Sequence, residues 1–210
     1  MARGYFDPES LAWKPFGWIG EIVILSLMWG VCCIPVVTIG AATTALYDTV
    51  VHVMRRREGD MIERFFGTFK KELKSGILST LLWMAVGFLV YLFYQVVGRA
   101  IPPSPIRNTA MVLYHILVPF FLLCILCWVF PLLSRFTFTT AALNATALRL
   151  AFGHILRSIA MALLAGGAII VCWLFATPII FLPGLVAWLW SFLIEPVFRG
   201  YENKDGSDAG

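Results

Sequence analysis

Long uncharged runs alternate with short charged ones along this chain. Asp, Glu, Lys and Arg are absent from Ile22 to Tyr47, from Gly76 to Gly98 and from Asn108 to Ser134. They are absent again between Arg157 and Glu195. A helix needs about 20 predominantly apolar residues to cross the ~30 Å hydrocarbon core of a bilayer. The last run, drawn out as one helix, would measure roughly 55 Å, so it must fold back on itself. Thr177-Pro178 and Pro183-Gly184 mark that turn, because proline and glycine interrupt helical geometry. The pattern therefore predicts five membrane helices, over about residues 19–37, 76–98, 109–134, 158–176 and 179–198. Glu21 falls at the start of the first, where a carboxylate can stay wet.

The stretches between the runs carry a different period. Thr44, Asp48, His52 and Arg55 or Arg56 recur at helical spacing and form one polar stripe. They predict a surface helix over 41–57, entered through Pro35 to Gly40, where Gly40 permits a sharp turn. Asp60 follows as an N-cap, with Glu63 at the capping-box position. From 61 to 74, Ile62, Phe65, Phe66, Phe69 and Leu73 line one helical face. Glu63, Arg64, Lys70, Lys71, Glu72 and Lys74 line the other. That is the signature of a helix lying flat on a membrane. A third surface helix is predicted over 136–155, where Thr139, Thr140, Asn144, Arg149 and His154 interrupt the apolar pattern. The fold class read from this pattern is all-α. It is a polytopic membrane helix bundle of five transmembrane helices plus cytoplasmic-side amphipathic helices. One membrane domain covers residues 19–199, between a short extracytoplasmic N-terminus, 1–18, and a disordered cytoplasmic tail, 200–210.

Composition agrees with lipid as the solvent. Hydrophobic residues make up 60% of the 210 and charged ones only 13%, with a mean hydropathy of +0.85. Soluble domains are about 25% charged. The net charge of +4 reports topology more than nucleic-acid binding, and no nucleic-acid partner is expected. Cys32, Cys33, Cys124, Cys127 and Cys172 all lie in apolar runs, so free thiols are expected. The first eighteen residues hold as many acids as bases, and the following apolar run is too long for a signal-peptide core.

The bases are distributed unevenly. With five spans, the 55–74 segment, the 135–157 segment and the tail share one side and carry twelve Lys and Arg. Arg3, Lys14, Arg99 and Arg107 fall opposite. The positive-inside rule then sets the C-terminus in the cytoplasm and the N-terminus outside. A six-span alternative lets Ala41 to Met54 cross and brings the N-terminus inside. It requires burial of Asp48 and His52, which is costly unless they are paired.

Several segments resemble a known family. IPVVTIGAATTALYDTV and FFGTFKKELKSG are similar to the opening of the YesL-like family of bacterial integral membrane proteins. FPLLSRF, FGHILRS and LPGLVAWLWSFLIEPVFRGYE are similar to its second half. Ala41 departs from the pattern, which commonly has proline after TIG. The resemblance implies a domain of unknown function. It also implies an accessory role beside ATP-driven (ABC-type) carbohydrate importers, whose permease subunits would be partners along with the lipid bilayer. Within the chain, CIPVVTIGAATTALYDTVVHVMRR and VFPLLSRFTFTTAALNATALRL share an order of span, proline, Thr/Ala-rich helix and base.

Candidate chemistry is sparse. Cys124-x-x-Cys127 sits mid-span without a second pair or a nearby histidine in sequence, so apolar packing explains it better than redox or metal work. Asp48 and His52, four residues apart, offer half a metal site or a proton relay, against the simpler reading of a solvated or partner-facing stripe. Glu195 is expected to pair with Arg199 at the same spacing. Neither a phosphate-binding glycine loop nor a carboxylate pair beside an external aromatic occurs. The chain is therefore expected to be no enzyme and to bind no cofactor or metal. The expected partner or lipid interface is Asp48, His52, Arg55, Arg56 and Arg57, with Phe65, Phe69, Lys70 and Lys71. An importer accessory is the leading function. An independent small transporter or channel, and an assembly or sensing factor, are the alternatives.

Overall fold

The computed structural model describes residues 14–100, 102, 104–135, 140–175 and 177–207. The expectations for residues 1–13, 136–139 and 208–210 lie outside the described residues. Those described are almost entirely helical, with no strand among them. The helices are α1 (Lys14–Cys32), α2 (Ile39–Thr49), α3 (Met61–Ala100), α4 (Pro105–Arg135), α5 (Thr140–Gly153), α6 (Ile155–Phe175) and α7 (Leu182–Ser207). A π-helix, Val50–Arg55, continues α2 without a break. Among the described residues, four helical segments are long and apolar enough to cross a membrane: Val36–Arg55, α3, α4 and α6. The apolar stretches Trp18–Cys32 and Leu182–Phe198 are shorter.

The largest departure from expectation is α2. It is not a surface helix but the most enclosed element of the chain. All of its residues except Ile39 and Thr43 are buried, as are Val50, Val51, Val53 and Met54 in the π-helix. The cause lies in its small residues. A methyl at Gly76 of α3 would come within 2.6 Å of Ala41 N, and one at Gly40 within 2.7 Å of Gly76 O. Both glycines are therefore contact points where two backbones meet, and Gly40 is helical rather than a turn. Gly40 N donates to Thr80 Oγ1 at 3.1 Å, and Thr80 Oγ1 donates to Gly76 O at 2.8 Å. These bonds satisfy the polar groups that such a close seam buries. Leu46, Val50 and Met54 pack with Ile22, Leu25 and Phe65 on one side. Tyr47 and Val51 pack with Trp128, Leu132, Met161 and Ile194 on the other. α2 thus separates two halves of the core.

The second departure is α3. Surface helix 61–74 and span 76–98 are one helix of 40 residues, about 60 Å long. Nothing between Lys74 and Gly76 breaks it, because Gly76 is held against α2 and no proline intervenes. α3 therefore leaves the charged region and enters the apolar one without a hinge. The third is α7, which continues through Ser207 where a disordered tail is expected from Gly200. Once the packed part of a helix is formed, extension adds a hydrogen bond per residue at little cost.

Contacts set the helix directions. α2 runs antiparallel to α3, with Gly40 beside Thr80 and Asp48 beside Arg64. α1 runs antiparallel to α7, with Trp18 against Trp188 and Ser26 Oγ accepting from Gly184 N at 2.9 Å. Glu21, near the start of α1, and Glu195, late in α7, consequently lie at the same end of the molecule. The expected arrangement had placed them on opposite sides. Outward-facing surfaces of α3, α4 and α6 are apolar, with Phe88, Leu89, Ile116, Ile170 and Phe175 largely exposed. A surface of that kind suits lipid rather than water.

Candidate functional site

The polar chemistry of the chain collects where the π-helix leaves α2. π-Helical turns are rare and frequently mark functional sites. Here the extra residue per turn accompanies a close cluster of charge, and the following turn is tight. Arg57 takes φ +58° and Gly59 φ +80°, the left-handed region that a non-glycine residue seldom adopts. Asp60 then caps α3, its Oδ1 accepting from Ile62 N at 2.8 Å and Glu63 N at 3.3 Å. The cap fixes the first turn of α3 and so aims Arg64 back at α2.

Arg64 grips Asp48 with two nitrogens. Its Nε donates to Asp48 Oδ2 at 2.6 Å and its Nη2 to Oδ1 at 3.2 Å. Thr68, one turn further along α3, donates to Oδ2 at 2.7 Å. His52 Nδ1 lies 3.0 Å from the main-chain O of Asp48 and 3.2 Å from Arg64 Nη2, and its tautomer decides whether it donates to the first or accepts from the second. Asp48 is 1% exposed while the Arg64 side chain is 42% exposed. The carboxylate is inside and the guanidinium reaches outward, as a long amphipathic side chain can.

A second buried carboxylate lies beside the first cluster. Glu195, 3% exposed, accepts from Arg135 Nη2 of α4 and from Arg56 Nη2 at 3.5 Å. The expected partner, Arg199, has its side chain outside the described residues; the described partners of Glu195 are Arg135 of α4 and Arg56, in the turn after the π-helix. Arg135 Nε and Tyr47 Oη are both buried without a hydrogen-bond partner among the described residues.

The Arg55-Arg56-Arg57 triplet bonds to neighbouring helices, while Arg56 and Arg57 also remain exposed. Arg55 Nη1 donates to Ser191 O of α7 at 2.6 Å, and its guanidinium sits 4.5 Å from the Phe192 ring centre. Arg57 Nη1 donates to Glu21 Oε1 of α1 at 3.1 Å. The expected interface is therefore split. Asp48 faces α3, not a partner or solvent. Phe65 is fully buried and stacks on Phe69 in the core between α1 and α2, so it does not face lipid. Lys70 and Lys71 do stay exposed. Sequence periodicity found Asp48 and His52 but missed Arg64, Thr68 and Arg135. Of these only Arg64 carried a signal, as a base on the first turn after a cap.

Chemically, the arrangement is a set of interhelical ties. Asp48 and Glu195 each already accept from two donors on other segments, whereas a third buried carboxylate, Glu72, has Lys71 Nζ of its own helix at 3.5 Å. Among the described residues, no three of His, Cys, Asp and Glu gather closely enough to hold a metal ion. All five cysteines are free thiols.

Comparison with known proteins adds one match. A family model described as "protein of unknown function, DUF624" matches residues 22–94. That stretch contains α2, the arginine triplet and the whole Asp48 cluster, but not Glu195 or Arg135. No curated protein and no solved structure matches the chain.

Proposed function

We propose that this chain is a multi-pass, YesL-like protein of the bacterial cytoplasmic membrane. In this reading it has no catalytic activity and serves as an accessory subunit of an ATP-driven oligosaccharide importer. The observation that supports a scaffold role is the use of the buried charges. Asp48 and Glu195 are held by guanidinium groups from other helices, which leaves neither carboxylate available as an acid, base or nucleophile. The importer itself comes from the family resemblance alone.

The same contacts favour the six-span topology. The objection to sending residues 41–54 across was the cost of burying Asp48 unpaired, and Asp48 is paired. α1 and α7 are antiparallel neighbours, so if both cross, both chain ends share a side. Moving Arg3 and Lys14 to the base-rich side leaves Arg99 and Arg107 as the only bases opposite. That is a stronger positive-inside bias than the five-span arrangement provides. Both termini are then cytoplasmic.

Affinity purification of the tagged full chain from native membranes in mild detergent tests the importer reading. Near-stoichiometric recovery of a permease subunit supports it. Recovery of the chain alone, together with solute flux through liposomes containing only this protein, replaces it with the transporter reading.

A further inference from the structure

Arg99, at the end of α3, and Arg107, at the start of α4, line one cavity of about 410 Å³, within the 300–1,000 Å³ typical of small-molecule sites. Arg107 Nη1 donates to Gly98 O at 3.4 Å and its Nη2 to Asn108 Oδ1 at 3.3 Å, which holds its guanidinium across the hairpin. Nearby, Tyr94 stacks on Tyr114 with ring centres 5.9 Å apart, and Tyr114 Oη donates to Val90 O at 3.1 Å. These contacts fix the spacing of the two helices. Arg99 is exposed and makes no hydrogen bond or ion pair among the described residues. Gln95 and Asn108 are further polar side chains of the wall, and Met111 and Val112 form its apolar part.

No Asp or Glu occurs between Leu73 and Ile194. The nearest acid along α3 is Glu72, about 40 Å down the helix from Arg99. Two guanidiniums at one cavity repel each other unless an anion lies between them, and α3 to α6 bring no carboxylate within reach. The position of the cavity says which anion fits. The uncharged run from Gly76 to Gly98 measures about 35 Å against ~30 Å of hydrocarbon, so Arg99 stands at the level of the lipid phosphates. Val96, Val112 and Ile116, deeper along the two helices, are exposed on the apolar outer surface. A neutral sugar would leave both charges uncompensated, and a soluble anion would use only the polar end of the wall. We propose that this cavity binds the headgroup of an anionic phospholipid, in the leaflet opposite the base-rich segments. Its phosphate lies between Arg99 and Arg107, because forked guanidiniums suit phosphate oxygens. Gln95 and Asn108 are placed for headgroup hydroxyls, and an acyl chain follows Met111 and Val112 into the bilayer. This site is separate from the ion-pair cluster, does not depend on the importer reading, and keeps its leaflet relative to the base-rich segments with either five or six spans.

The test titrates the full chain in nonionic micelles with phosphatidylglycerol, or with phosphatidylcholine of the same acyl chains, and counts bound lipids by native mass spectrometry. Wild type is expected to bind phosphatidylglycerol saturably and phosphatidylcholine roughly tenfold more weakly, for want of net charge. Arg99→Gln should weaken a phosphatidylglycerol site roughly tenfold or more, the loss expected for one charge-assisted hydrogen bond. Arg149→Gln removes the same charge from another exposed position and should bind as wild type does. Arg107→Gln should also weaken binding, but it loses the bonds to Gly98 and Asn108. Arg99→Gln breaks no bond among the described residues, so a folding defect in the Arg107 variant does not decide the outcome. Glycerol 1-phosphate is the soluble arm: if it displaces the lipid from wild type at equal concentration, the site takes a free anion and the lipid proposal falls. Equal binding of the two lipids, or an Arg99→Gln loss no larger than that of Arg149→Gln, likewise overturns it.

Discussion

Replacing Arg64 with alanine would leave a carboxylate that is 1% exposed without its main counter-charge. Removing one partner of a buried ion pair costs about 3–5 kcal/mol, because the remaining charge stays desolvated. Replacing Asp48 instead leaves a guanidinium whose side chain is already 42% exposed. That group can turn to water or to lipid phosphate, so only the lost hydrogen bonds count, at about 1–2 kcal/mol. The two variants of a single ion pair should therefore differ by about 2 kcal/mol. The double variant should resemble Asp48→Ala, since no stranded charge remains, and its second substitution should restore stability. Reversible unfolding of the purified chain in mixed micelles, followed by helical circular dichroism, measures all three. Equal losses for the two single variants, or strict additivity in the double one, would refute the claim that Asp48 is the enclosed partner.

Three further outcomes follow from the same packing. Gly76→Ala places a methyl 2.6–2.8 Å from Ala41 and should cost about 1–3 kcal/mol. Gly67→Ala meets nothing within 4 Å and should gain up to about 1 kcal/mol in helix propensity; thermal melting in detergent compares them. Phe65→Ala should cost about 3–5 kcal/mol and Phe66→Ala far less, because Phe65 is fully buried and Phe66 is 41% exposed. The yield of monodisperse protein reports the difference, and equal yields would return Phe65 to the lipid face. In a chain stripped of native cysteines, Ile34→Cys, at a position 76% exposed, should react with an impermeant maleimide added to intact cells. Labelling only after lysis would restore the five-span arrangement.

Much of the helical framework was legible in the sequence, and the failures share one cause. Uncharged runs mark where lipid is the solvent, and α4 and α6 were found from them. Position within the bundle is a different property. In a soluble protein a polar stripe marks the outward face, because water is outside. In a membrane bundle the rule inverts when the stripe finds partners, since lipid cannot satisfy a carboxylate. Asp48 and His52 therefore pointed to a surface on the first logic and to the centre on the second. The deciding partner, Arg64, lies on the next helix, beyond the reach of any single-helix period. Phe65 illustrates the converse. It belongs to a clean amphipathic face, yet that face meets α1 and α2 rather than a bilayer.

The small residues held the signal that charge concealed. Gly40, Ala41, Ala42 and Ala45 make α2 narrow on one side, and narrow helices are those that can pack backbone to backbone within a membrane. A helix lying flat on a leaflet gains little from that feature, because its apolar face needs bulk. The Thr and Ala content of 41–49 thus argues for an interior position independently of Asp48. The same reasoning reaches Thr140 to Ala147, the counterpart in the second Thr/Ala-rich stretch. There Leu143 and Ala147 are buried, and Asn144 Oδ1 accepts from Trp83 Nε1 of α3 at 2.9 Å. Asn144 resembles Asp48 in one respect, a polar side chain on a short helix held by a donor from α3, although α5 buries only one face, through Leu143, Ala147, Leu150 and Ala151. It carries no charge and so demands no arginine. Both short helices are thereby pinned to α3, Asp48 near its start by Arg64 and Asn144 further along by Trp83, which makes the long helix the common spine of the two halves.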